Sequence, residues 1–260
     1  MYRRTALGAV PAAIAVMDAM IFAAGRGTRL QPLTHELPKA LIEIGGVPML
    51  ERVARRLVAA GADRLVINTH PFPEQIVEFV RERGGFGVEV HFSHEPDEPL
   101  ETGGGLRQAA PLFRRDAPFL LHNCDVLSDI DLAALYAAHD DHALATLAVL
   151  PPAEQRYLIF DDVGLCGYAP RSGGADVLVR EPVNATRRRE FAGIHVVAAR
   201  LLDSLPPLRV FSIISLYLTL SAKGERIATY EAEGSRWVDI GSHDALARAR
   251  RGEGERPDTR

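Results

Sequence analysis

The chain has 260 residues, of which 47% are hydrophobic and 25% charged, and its formal net charge is −4. These are the proportions of an ordinary globular protein, without the basic surplus that marks a nucleic-acid binder. The two cysteines, Cys124 and Cys166, make neither a metal-ligand spacing nor a disulfide framework, and no apolar run reaches the ~18 residues of a membrane span, so a reducing cytoplasm is the expected compartment.

Residues 1–18 are expected to be a dispensable extension. Arg3 and Arg4 precede an apolar run from Ala6 to Val16, and Ala13 and Ala15 mimic a cleavage site, which is the outline of a short secretory signal. A motif with chemistry follows at once, with no spacer. Met17 or Met20 is therefore the more natural beginning.

A single domain is expected over 19–250. Ala19 to Ala24 is a short apolar run ending in Gly25-Arg26-Gly27, as a buried strand entering a glycine loop does. Leu50, Val53, Leu57 and Val58 fall at helical spacing between Pro48 and Ala60, and Gly61 closes that helix. Leu65 to Asn68 reads as a strand, Glu74 to Arg83 as a helix, and Val88 to Ser93 as a strand. Leu106 to Leu112 reads as a helix, and Phe119 to His122 as a strand ending at Asn123-Cys124-Asp125. Strand and helix alternating in this way predict an α/β fold, a mixed and mostly parallel sheet flanked by helices. In such sheets ligands bind at the carboxyl ends of the strands, where both the Gly25 loop and Asp125 fall.

The second half is less regular. Leu144 to Leu150, Leu158 to Phe160, Phe191 to Val197 and Ile227 to Glu231 read as strands. Asp161 to Ala175 reads as turns or a hairpin, and Arg187 to Glu190 as a charged turn. Val210 to Lys223 and His243 to Arg250 read as helices. Residues 251–260 are polar, with Gly252, Gly254 and Pro257, and are expected to fray.

The strongest chemical signal runs from Ala23 to Leu30, then through Pro32-Leu33-Thr34 to Pro38-Lys39. A glycine loop after a strand lets backbone N–H groups approach phosphate oxygens. Arg29 adds a planar bidentate donor, and Lys39 a mobile point charge. The loop lacks the G-K-[ST] of a P-loop and the third glycine of a dinucleotide fingerprint.

The stretch AAGRGTRLQPLT…PKAL resembles the signature of the sugar-1-phosphate nucleotidyltransferases, with Phe22 for a usual leucine and Ala40 for a usual proline. The likeness extends to Asn123-Cys124-Asp125, where Cys124 replaces a usual glycine, and to Trp237-Val238-Asp239-Ile240-Gly241. It implies a Rossmann-like nucleotidyltransferase core and Mg2+ held by Asp125 and Asp239. Arg29, Lys39, Asp125 and Asp239 become the catalytic set. Ala24, Gly25, Gly27, Thr28, Arg29 and Lys39 become nucleotide ligands.

Ser93-His94-Glu95-Pro96 with Leu100 to Gly105 resembles the family's base-recognition loop, which adds Glu95, Thr102 and Gly103 to the nucleotide set. Glu95 could accept from uracil N3–H, or from guanine N1–H and N2–H. The wording PLETGGG is most similar to uridylyltransferases acting on N-acetylmuramic acid 1-phosphate in peptidoglycan recycling. Guanylyltransferases for mannose or heptose 1-phosphate usually carry glycine where Glu101 stands. Arg180-Glu181-Pro182 resembles a sugar-holding E-K-P region with its lysine missing or displaced to Arg180. Asn123, Glu181 and Gly193 are therefore the expected sugar contacts. The implied reaction joins a nucleoside triphosphate, UTP before GTP, to a sugar 1-phosphate and releases pyrophosphate. The alternatives are a mannose or heptose guanylyltransferase, a cytidylyltransferase, or a catalytically silent relative.

Overall fold

The computed structural model describes residues 17–95, 97–152, 157–170 and 173–252. The signal-like run, Pro96 of the expected base loop and residues 253–260 of the expected tail lie outside the described residues. The first strand, β1, spans Asp18–Ala23. Met17 and Asp18 are both buried: the Asp18 carboxylate accepts from the backbone N–H and Nε of Arg114, at 2.7 and 2.6 Å, and the Met17 N–H donates to Asp63 Oδ1 at 2.8 Å. The folded unit therefore begins at least two residues before the expected boundary at 19.

A small hairpin, β2 (Glu43–Ile44) and β3 (Val47–Pro48), leads into α1 (Met49–Ala59) and β4 (Arg64–Thr69). There follow α2 (Pro73–Glu82), β5 (Glu89–His94), α3 (Glu101–Ala109), β6 (Phe119–Asn123), β7 (Val126–Ser128) and α4 (Leu132–Ala137). The second half holds β8 (Ala145–Leu150), β9 (Leu158–Phe160), β10 (Leu165–Tyr168), β11 (Val177–Leu178) and β12 (Arg187–Val197). It ends with α5 (Ile213–Ala222), β13 (Ile227–Glu231), β14 (Trp237–Asp239) and α6 (His243–Arg250). Among the described residues no helix is long and apolar enough to cross a membrane.

The sheet is mixed and helix-flanked, as the alternation predicts. Strands β5, β4, β1 and β6 are mutually parallel, and β12 runs antiparallel to β6. Beyond β12 one ladder continues to β8 and β13, and another to β9, β10 and β11. Alternation along each strand divides the core in two. Ala19, Ile21 and Ala23 of β1 face a cluster shared with α1, α2, α4 and α6, whereas Met20 faces one shared with α3 and α5.

Two local expectations fail. Arg187 to Glu190 is not a turn but the first part of β12, where Arg187–Arg189 pair with β9; the ladder supplies partners that a run of charges does not announce. The Glu101 to Gly105 segment is not a loop but the first half of α3. Gly103 and Gly104 are tolerated there because another segment needs the room. A Cβ on Gly103 would lie 2.4 Å from Phe211 Cδ2, and one on Gly104 would lie 2.2 Å from the Arg209 carbonyl oxygen.

Candidate active site

The parallel strands end on one side of the sheet, with Phe22 level with Asn123, Ala23 with Thr69, and Thr69 with His94. A cleft opens there. Ala24 and Gly25 form one wall, Lys39 and the Asn123–Asp125 segment another, and Asn68, Glu95, Glu101 and Thr102 the third. Motifs about a hundred residues apart in sequence thus share one concavity.

Lys39, in a short 3-10 turn, donates from Nζ to Asp125 Oδ2. β14 pairs antiparallel with β7 and sets Asp239 opposite Val126. The Ile240 N–H donates to the Asp125 carbonyl at 2.9 Å, so the two aspartates sit on adjacent backbones. Asp239 Oδ1 accepts from the Gly241 N–H at 2.7 Å. A Cβ on Gly241 would lie 2.6 Å from Arg29 Nη2 and 2.7 Å from Asp239 Oδ1. The tip of Arg29 and the Asp239 carboxylate therefore both lie close to a residue that has no side chain. Of the four expected catalytic residues, Lys39 and Asp125 line the cleft itself; the β14–β7 pairing sets Asp239 beside the Asp125 segment, and Arg29 reaches the same Gly241 turn, both outside the cleft lining.

The expected nucleotide ligands divide. Ala24 and Gly25 face the cleft, and nothing lies within 4 Å of a Cβ at Gly25. Gly27 is a folding glycine: its φ is +62°, a Cβ would lie 2.8 Å from Thr34 Cγ2, and its carbonyl accepts from Thr34 Oγ1 at 2.8 Å. Thr28 is exposed and opens the 3-10 turn that carries Arg29. Thr102 lines the cleft, and its Oγ1 accepts the Ile213 N–H at 3.0 Å. Gly103 does not line the cleft, and its N–H is spent on the Phe211 carbonyl at 2.9 Å, so the picture of Gly103 lying against a base is corrected.

Glu95 faces the cleft but is only 2% exposed. Its Oε1 accepts from Asn68 Nδ2 and its Oε2 from the Leu100 N–H, both at 2.7 Å. Asn68 Oδ1 in turn accepts the Ala23 N–H at 2.7 Å. Burial pushes the Glu95 carboxyl up, against the pull of the Leu100 and Asn68 bonds. Glu95 thus ties the glycine loop to the start of α3, and each of its oxygens already serves the fold. Asn68 was not anticipated, although a polar residue ending the apolar run Leu65-Val66-Ile67 at a strand's carboxyl end is a usable signal. Cys124 is buried, and burial raises its thiol, with the Asp125 charge adding to the rise, so it offers no thiolate.

On the sugar side, Asn123 lines the cleft, and Gly193 is outside the lining but packs against Asn123. Gly193 has a φ of +73°, and a Cβ there would lie 2.7 Å from Asn123 Nδ2. The β12–β8 register shifts at this point, between Phe191 and His195. Glu181 is exposed and lines neither the cleft nor the cavity that adjoins it at Glu101 and Thr102. Glu190, Phe191, Tyr157 and Tyr168 line that second cavity instead. Arg180 is no stand-in for a sugar-binding lysine. It clamps Asp161 through Nη2–Oδ1 at 2.6 Å and Nη1–Oδ2 at 2.8 Å, and holds the Asp161 carboxyl well below the usual range.

The cleft at the strand carboxyl ends thus carries a lysine and an aspartate, with a second aspartate and an arginine at the neighbouring β14 turn. Residues 18–157 match the profile of the nucleotidyl transferase family, and the chain belongs to that family. It is 32% identical over 231 residues to the N-acetylmuramate alpha-1-phosphate uridylyltransferase of Neisseria meningitidis serogroup B, covering 87% of this chain and 94% of that protein. It is equally 32% identical over 228 residues to the mannose-1-phosphate guanyltransferase of Gibberella zeae, covering 86% of this chain and 61% of that protein. The chain thus spans 61% of the length of the guanyltransferase relatives it matches. Its fold is that of HddC from Yersinia pseudotuberculosis, with a TM-score of 0.72 at 19% identity over 92% of this chain and 100% of that one. The inositol-1-phosphate CTP transferase of T. maritima superposes with a TM-score of 0.71 at 16% identity, over 89% and 92% of the two chains.

Proposed function

We propose that this chain transfers a nucleotidyl group from a nucleoside triphosphate to a sugar 1-phosphate and releases pyrophosphate. The observation that carries the reading is the Lys39–Asp125 pair in a cleft built from strand carboxyl ends, with Asp239 and Arg29 gathered at the adjoining β14 turn. An oxygen of the sugar phosphate attacks the α-phosphorus in line, and pyrophosphate leaves. The attacking oxygen is already anionic, so no general base is required. The chain's work is positioning and charge neutralisation. Gly25 leaves room for phosphate against the backbone, and Arg29 and Lys39 carry the positive charge that phosphate oxygens need.

Asp125 and Asp239 would hold a magnesium ion. Among the described residues, Asp125 Oδ1 and Asp239 Oδ2 take no hydrogen bond. Two hard carboxylate donors suit an ion that draws its other ligands from phosphate and water. When bound, that ion neutralises developing charge on the phosphates. A reducing cytoplasm suits both the substrates and the two free, buried cysteines.

The finer reading is UTP before GTP, with an N-acetylated amino sugar 1-phosphate such as N-acetylmuramic acid 1-phosphate as acceptor. Glu101 supports it. It opens α3 at a φ of +58°, a conformation that glycine adopts freely, and it lines both the cleft and the adjoining cavity. Its side chain narrows the mouth where a purine needs more room than a pyrimidine. The similarity to the Neisseria uridylyltransferase, over nearly the full length of both chains, points the same way. The test is kcat/KM for UTP and GTP with one acceptor, with an expected ratio of roughly 10- to 200-fold. A GTP preference would move the chain to the guanylyl reading. No pyrophosphate release with any of the four triphosphates across a panel of sugar 1-phosphates would refute the activity itself.

A further inference from the structure

We infer that the cavity bounded by α1, the β7–β14 pair and α6 is a second anion site, which takes a phosphate monoester with an apolar or aromatic body. It encloses about 580 Å3 and shares no residue with the catalytic cleft, a size suited to a small phosphorylated metabolite.

Charge is the first argument. Arg52, Arg55, Arg56 and Arg236 line this cavity against one carboxylate, Asp129, in a chain whose formal charge is −4. Arg55 is exposed and pairs with Glu51, and Arg236 pairs with Asp129. Arg52 and Arg56 differ from these. Among the described residues neither has a carboxylate within ion-pair distance. Arg52 donates to the Ile44 carbonyl, and its Nε is buried with no hydrogen-bond partner. Arg56 donates to Ser128 Oγ at 3.1 Å and to the Ile130 carbonyl, and burial is the main cause lowering its pKa. Asp129 and Asp131 lie near enough to act on the Arg56 charge, whereas Arg52 keeps a buried Nε–H that no group in the described residues accepts, a costly state that an anion would relieve. The planar forks of the two arginines match a phosphate.

The remaining wall is apolar, with Val47, Leu127, Val238 and Trp237. The Trp237 indole N–H is fixed on the Ala192 carbonyl at 2.8 Å, which holds the ring in place as a flat surface. A bare phosphate would leave that wall unused, and this is why the ligand is assigned an apolar body.

Trp237 is the only tryptophan in the chain, so its fluorescence reports this cavity directly. The full-length protein is titrated with phenyl phosphate, excited at the red edge of tryptophan absorption, with calorimetry in parallel. The expected result is one saturable site at up to millimolar Kd, absent with phenol, weakened roughly tenfold or more by Arg52→Gln, and unchanged in Lys39→Ala, which alters only the catalytic cleft. Thermal melts check that Arg52→Gln is folded, and Arg52→Lys, which keeps the charge but not the fork, should bind at an intermediate level. No saturation by about 10 mM would overturn the proposal. So would binding that Lys39→Ala abolishes and Arg52→Gln leaves intact.

Discussion

Replacing Gly241 by alanine should damage the active site while sparing the fold. The φ of Gly241 is not in the left-handed region, so alanine fits its backbone. What the new methyl meets are two flexible side-chain tips, Arg29 Nη2 at 2.6 Å and Asp239 Oδ1 at 2.7 Å. Ordinary contact begins near 3.4 Å, so each tip must retreat by several tenths of an ångström or turn away. The fold loses no buried group, and the lost freedom of the unfolded chain favours alanine by about 0.4–1 kcal/mol. The melting temperature should therefore hold or rise slightly. Catalysis should fall. If Arg29 loses one charge-assisted phosphate contact, the cost is about 1.5–3 kcal/mol, or roughly 10- to 150-fold in kcat/KM, and misplacement of about 1 Å can cost as much as 100-fold. The assay is pyrophosphate release beside thermal melts, for wild type, Gly241→Ala, Arg29→Ala and the double variant. Because alanine acts partly through Arg29, its effect should shrink in the Arg29→Ala background. Undiminished activity in Gly241→Ala, or fully additive losses in the double variant, would refute the role assigned to the Arg29 and Asp239 tips beside Gly241.

Asp125→Asn and Asp239→Asn should each remove most turnover, by several kcal/mol of transition-state stabilisation, without loss of fold; full activity of the double variant in EDTA would sink the metal assignment. His122 and His195 are fully buried, and burial chiefly pulls their pKa values down to about 4 and about 3. Depressed bases leave the unfolded chain binding more protons below about pH 6.5, so stability is full above that value and falls as the pH drops towards 4. From pH 7 to 5 the two together should cost about 4 kcal/mol, read by urea denaturation. His195→Leu should halve that drop, since both ring nitrogens of His195 lack partners; Glu95, raised by burial, opposes the trend. A wild type equally stable at both pH values would contradict the burial argument. A chain beginning at Met17 should keep its melting temperature and activity, because the Met17 nitrogen already sits on Asp63 Oδ1; a loss on removing residues 1–16 would assign that segment a role.

The sequence by itself determined the α/β alternation, the glycine loop at the end of the first strand and the motif residues Arg29, Lys39, Asp125 and Asp239. Each of these is written locally. An apolar run, a glycine pair or an aspartate after a strand keeps its meaning whatever surrounds it. What each residue does once packed was not legible in this way. Gly27, Gly103 and Gly193 look alike on the page. Yet one sits against Thr34, one against Phe211 and one against Asn123, and those neighbours come from distant parts of the chain. Only tertiary structure turned Glu95 from a base acceptor into a buried tie between Asn68 and Leu100. It also spent Arg180 on Asp161 and left Glu181 outside the cavities. The run Arg187–Glu190 became a strand because β9 lay ready to pair with it. The physical reason is common to all of these. Motif chemistry depends on residue type and spacing, whereas burial, hydrogen-bond satisfaction and close approach depend on partners that only the folded chain brings within reach.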